Sequence, residues 1–156
     1  MKPLAAAAVA CAVAFTALPA AAVTYSPKGV SAEEVGAVLK AKGLPVEITT
    51  DSGGDPMIRS SSEGLNWLVY FYDCRGGRCT SIQFTAGFDL DDGLTYAKAN
   101  EWNFTKRFGR AALDDEMDPY VRYDIDTAKG YTSESMAYAL ETWLLIIPAF
   151  SDFIGY

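Results

Sequence analysis

Two cysteines, Cys74 and Cys79, have the clearest chemical capacity in this chain; Arg75, Gly76, Gly77 and Arg78 stand between them. A pair of glycines is turn chemistry, so the two thiols flank a hairpin tip and are expected to form a disulfide that pins its register. The spacing is not the C-x-x-C of a redox-active pair, which makes a structural bond the expected role.

Carboxylates offer three further possibilities. Asp89, Asp91 and Asp92 form one cluster; Asp114, Asp115, Glu116 and Asp118 form another. Clustered oxygen ligands suit calcium, but the spacing fails the EF-hand loop, because Gly93 comes too early after Asp89 and no glutamate closes the twelfth position. Turn formation and a helix N-terminus that favours negative charge explain the same residues. Asp124 and Asp126 alternate on one strand face, roughly 7 Å apart at the usual rise per residue, and a carboxylate pair can run glycoside hydrolysis. Both lie on the polar side, which is expected to face water. Glu101 falls on the face of a helical segment that also carries Ala97, Phe104 and Phe108. It either needs a cationic partner such as Arg107 or Arg110, or sits at the stripe's edge and reaches water.

Histidine is absent. That removes the usual general base near neutral pH, the commonest zinc ligand, and Ser-His-Asp or Cys-His catalysis in their ordinary forms. The formal charge is −7, or −8 without Lys2, and no basic stripe is present to replace phosphate counterions. Nucleic acid is therefore not an expected partner. No cofactor and no metal are called for, and no enzyme is expected.

The compartment is set by the first 22 residues. Lys2 gives a positive start, an apolar run follows from Leu4 to Leu18, and Pro19 precedes Ala20, Ala21 and Ala22. That order is expected to be a signal peptide cut after Ala22, which leaves a periplasmic or secreted domain over 23–156 with no membrane segment. The rival is a retained anchor, since the run is long enough to span a bilayer of roughly 30 Å. Its alanine content and Pro19 favour cleavage. Cys11 lies inside the run without a lipoprotein pattern around it and would leave with the leader.

Elements follow from period and caps. Val23–Gly29 reads as a flexible lead-in. Ser31 and Glu34 form a capping box for a helix ending at Gly43. Val46 and Ile48 suggest a short strand, 51–56 a turn, and Met57 the start of a returning strand. Along 66–73, Trp67, Val69 and Phe71 point one way and Leu68, Tyr70 and Tyr72 the other, as in a central strand. In 80–88, Ile82, Phe84, Ala86 and Phe88 face a core, while Ser81, Gln83, Thr85 and Gly87 face out. A helix over 95–108, strands at 111–113 and 121–126, and a last helix capped by Thr132 or Ser133 complete the chain. That helix has core positions Met136, Leu140, Trp143, Ile147, Phe150 and Ile154, with a kink expected at Pro148. The order is α-ββββ-α-ββ-α: an α+β domain, a twisted antiparallel sheet of five to six strands with three helices.

Three strings carry a family likeness: G-D-P-M-I-R-S at Gly54–Ser60, Y-F-Y-D-C with I-Q-F-T-A-G-F-D up to Asp89, and N-E-W-N-F-T-K-R-F-G-R-A at Asn100–Ala111. Together they resemble the YbjN-domain family over nearly all of the mature chain. The last string is the most specific, through Asn100, Trp102, Asn103, Arg107, Phe108, Gly109 and Arg110. The resemblance implies a type III secretion chaperone-like fold, often dimeric, and members labelled as sensory-transduction regulators, with no catalytic residues to carry over. This chain departs in looking exported, so direct chaperoning of cytoplasmic effectors does not follow. A regulatory or protein-binding module does.

Two apolar sets exceed what one small core needs: Leu68, Tyr70 and Tyr72, and Leu144, Leu145 and Ile146. They are candidate interface residues for an undefined protein partner or a second copy. Alternatively, the first and last helices cover opposite faces of the sheet and bury both sets. A small-molecule or calcium-binding domain is the other functional reading, and a carboxylate-based hydrolase a third.

Overall fold

The computed structural model describes residues 22–156. The leader and Cys11 therefore lie outside the described residues, apart from Ala22.

The chain runs α1 (Ala32–Ala41), β1 (Glu47–Thr50), β2 (Pro56–Ser62), β3 (Leu65–Arg75), β4 (Arg78–Gly87), α2 (Tyr96–Thr105), β5 (Arg110–Leu113), β6 (Pro119–Asp126) and α3 (Ser133–Ile154). All six strands form one antiparallel sheet in the order β1-β2-β3-β4-β6-β5. This is the expected α+β class with its three helices. β3 and β4 occupy the centre, as the two-sided apolar pattern of β3 requires.

Local chemistry sets the boundaries. Ser31 caps α1 through a complete capping box with Glu34, and Thr95 and Thr132 cap α2 and α3. α3 runs unbroken from Ser133 to Ile154 through Pro148. Its length and composition would let it cross a membrane, yet here Met136, Leu140, Trp143, Ile147 and Phe150 are buried against the sheet.

The helices share one side of the sheet. Inward residues Ile58, Trp67, Val69, Phe71, Ile82, Phe84, Val121 and Ile125 form one cluster with Val35 and Leu39 of α1 and the buried stripe of α3. Trp143 sits at its centre, stacked on Phe84 at 5.7 Å and edge-on to Trp67 at 6.0 Å. Trp102 of α2 meets Phe150 at 4.9 Å on the same side. The first and last helices thus do not cover opposite faces; they pack on each other and on one face. The far face carries no helix among the described residues.

Two expectations are corrected. The stretch 23–29 is not a loose lead-in. Thr24 bridges to Thr132 and Val30 to Cys79, Tyr25 N–H donates to Tyr131 O at 2.8 Å, and the Tyr25 ring is buried. Backbone pairing with two separate elements holds the segment down, which hydrophobic periodicity does not report. In α2 the buried face is Ala99 and Trp102, not Ala97, Phe104 and Phe108. Phe104 is 88% exposed. The helix ends at Thr105, so Phe108 lies past it and the assumed 100° step no longer applies. Trp102 claims the inward position because its Nε1 reaches Gly109 O at 2.8 Å.

Candidate functional site

The residues of the Asn100–Arg110 string mostly fasten one element to the next. Asn103 brackets Ala111, its Oδ1 accepting from Ala111 N–H at 2.8 Å and its Nδ2 donating to Ala111 O at 3.2 Å. The amide thereby supplies β5 with the pairing a further strand would give, and locks α2 beside it. Gly109 has φ 79°, and a methyl there would stand 2.7 Å from Ile146 Cγ2. Arg110 reaches Asp124 at 3.7 Å, Arg107 lies over the Phe108 ring, and Asn100 is exposed.

The cysteine sulfurs are 2.12 Å apart in a disulfide across the β3–β4 hairpin. Cys79 is fully buried and pairs through its backbone with Val30, while Thr127 Oγ1 donates to its carbonyl at 2.9 Å. The bond thus anchors the hairpin tip, the N-terminal segment and the end of β6 at one point.

Carboxylates do not converge. Among the described residues, no group of three or more Asp, Glu, Cys or His side chains is placed to hold a metal ion. The two acidic loops are neighbours, but their oxygens take backbone donors. Asp114 Oδ1 accepts from Glu116 and Asp118 N–H, and Asp118 Oδ1 from Leu90 N–H. Asp126 accepts from Ala128 N–H. Asp124 takes the Gln83 amide at 2.5 Å and Arg110. Glu101 is exposed and pairs with Lys98 at 3.2 Å, three residues back on the same helix.

Two surfaces among the described residues involve the apolar sets singled out from the sequence. The first is the bare sheet face, where Leu68, Tyr70 and Tyr72 stand. They form one wall of a trough of about 490 Å³ along β4, with Tyr120 and Arg122 of β6 as the other wall. The trough exists because Thr85 and Gly87, outward on β4, are shorter than their cross-strand neighbours Leu68, Arg122 and Tyr120. Gln83 and Thr85 are only 8% and 6% exposed, so outward orientation did not make them solvent-facing. Desolvation raises the pKa of the Tyr72 hydroxyl, opposed by nearby Arg122.

The second surface is on α3. The apolar triplet divides: Ile146 is 6% exposed and belongs to the core, Leu144 is partly buried against it, and Leu145 is 75% exposed. Leu145 instead aligns with Tyr138, Thr142 and Ala149, stepping by four, three and four along the outer side of the helix. Tyr138 is 70% exposed. These four residues and Phe108 line a depression of about 270 Å³, with Lys106 and Arg107 at its rim. The sequence signal for this ridge was available in that spacing.

The described residues thus form an α+β domain with one bare sheet face and an apolar helical ridge. Residues 31–155 match the YbjN family, described as "Putative bacterial sensory transduction regulator". The chain belongs to the YbjN family. Among solved structures it is similar to the Yersinia pestis type III secretion chaperone SycH, crystallised in complex with a stable fragment of YscM2. Identity is 14% and the TM-score 0.42, over 72% of this chain and 92% of that one. No curated protein matches it.

Proposed function

We propose that this chain is an exported, non-enzymatic protein-binding module of regulatory type, that its contact surface is the outer ridge of α3, and that its first partner is a second copy of itself. The observation that carries the reading is the ridge: Tyr138 and Leu145 are largely exposed on a helix whose opposite side is fully buried. Side chains of that size exposed together at helical spacing are interface anchors more than surface decoration. Export is supported by the leader pattern and by the Cys74–Cys79 bond, which suits an oxidising compartment.

Charge favours self-pairing in one direction. Lys106 and Arg107 line the depression together with Leu145 and Ala149, whereas Glu134 borders the Tyr138 end by helical spacing and Glu141, beside it, is tied to Lys42 of α1. Two copies packed with α3 antiparallel set each basic rim against the other copy's acidic end, and a two-fold axis does this twice. A charge-swap series tests it. Replacing Lys106 and Arg107 by Glu should weaken the dimer at least tenfold, and mixing that variant with one carrying Glu134→Lys should restore part of the association as a heterodimer. Dimerisation indifferent to both changes contradicts the ridge.

A further inference from the structure

The trough on the bare sheet face has the features of a small-ligand site, independent of the α3 ridge. Its volume, about 490 Å³, lies within the range of small-molecule pockets. Thr85 and Arg122 are direct cross-strand partners on its floor and wall. The Thr85 hydroxyl is buried and has no hydrogen-bond partner, an arrangement that costs free energy until something supplies one.

Arg122 is equally without an ionic partner: among the described residues no carboxylate oxygen lies within 4.0 Å of it. Asp124, two residues along the same face, would be its natural counter-charge. Gln83 and Arg110 hold that carboxylate instead. The guanidinium lies over the Tyr120 ring, 5.5 Å from its centroid, which holds it at the trough's edge. Tyr120 is in turn seated over Gly87, where a methyl would stand 2.5 Å from its Cε1.

The geometry points to a small monocarboxylic acid with a flat apolar body as the ligand of this trough. The carboxylate takes the Arg122 guanidinium in the two-pronged geometry that arginine offers. It also accepts from Thr85 Oγ–H once that side chain turns about χ1. The body lies over the floor between Tyr70 and Leu68 on one side and Tyr120 on the other. A single arginine at the trough, in a chain of net charge −7, suits a single negative charge, not a polyanion.

The test titrates indole-3-acetate, with neutral indole-3-acetamide as its partner probe, into the purified oxidised protein. Amide NMR shifts report where each binds. The acid should saturate, move the amides of Thr85, Gly87 and Arg122, and bind at least tenfold tighter than the amide. Arg122→Gln should erase that preference. Thr85→Val, close in shape, should weaken the acid about threefold to tenfold with the fold intact by circular dichroism. Arg59→Gln, in the same cross-strand row but beyond Leu68, should change binding less than twofold. Equal affinity for acid and amide, shifts mapping elsewhere, or no saturation by 10 mM, about the weakest binding a specific pocket would show, overturns the proposal. None of these outcomes bears on the α3 ridge, so the two readings fail separately.

Discussion

Gly87 and Tyr120 stand directly opposite each other on β4 and β6, and the tyrosine ring occupies the space a side chain at position 87 would need. The glycine is an accommodation of the aromatic, and the aromatic in turn shapes one wall of the trough. Gly87→Ala is expected to lift the ring and cost about 1–3 kcal/mol, as overpacking does. Chemical denaturation measures the loss, and Tyr120→Ala in the same background should recover part of it.

The Asn103 bracket around Ala111 makes a similar claim for the far edge of the sheet. Asn103→Ala removes both hydrogen bonds and leaves the β5 backbone unpaired on that side. The expected cost is about 1–3 kcal/mol. Hydrogen exchange should show faster exchange at Ala111 while the β3–β4 amides stay protected. Uniform loss across the sheet would mean that Asn103 supports the whole fold and not this junction.

Removing the disulfide as Cys74→Ser with Cys79→Ala should lower stability by about 2 kcal/mol from chain entropy for so short a loop. Cys79 holds Val30 and Thr127 through its backbone, which alanine retains, so those contacts should persist and the loss should stay near that figure. Thermal melts of the oxidised and cysteine-free chains give the difference.

Tyr131 provides the pH dependence. Burial, with smaller effects from Tyr123 and Tyr25, pushes its hydroxyl up to about 12 from an ordinary 10. The unfolded chain therefore releases this proton first. Its contribution is fully present below pH 10 and is lost as pH rises from there through about 12. Denaturation midpoints should fall over that window, and Tyr131→Phe should remove part of the fall, on the order of 1 kcal/mol after solvent screening. An unchanged alkaline slope in the variant would assign the effect to other tyrosines.

Much of this fold was legible because its signals are local. Capping at Ser31, the glycine turn between Cys74 and Cys79, and the alternation in 66–73 and 80–88 each specify an element without reference to the rest of the chain. What was not legible depends on distant partners. Tyr25 looks like part of a tail until Tyr131 is seen to accept its backbone N–H. The inward face of α2 turns on one hydrogen bond from Trp102 to Gly109. For the candidate site, alternation correctly sent Gln83 and Thr85 outward but could not show that Tyr70 and Arg122 would tower over them. Nor could composition separate Ile146, which fills the space beside Gly109, from Leu145 one residue earlier, which faces solvent.

The central claim is that the α3 ridge joins two copies of the chain. Light scattering on the purified, oxidised domain from Val23 to Tyr156, across a wide concentration range and beside Leu145→Asp, addresses it most directly. The account predicts twice the monomer mass for the wild type and a folded monomer for the variant. A wild type that stays monomeric at every concentration, or a dimer that Leu145→Asp leaves untouched, contradicts it.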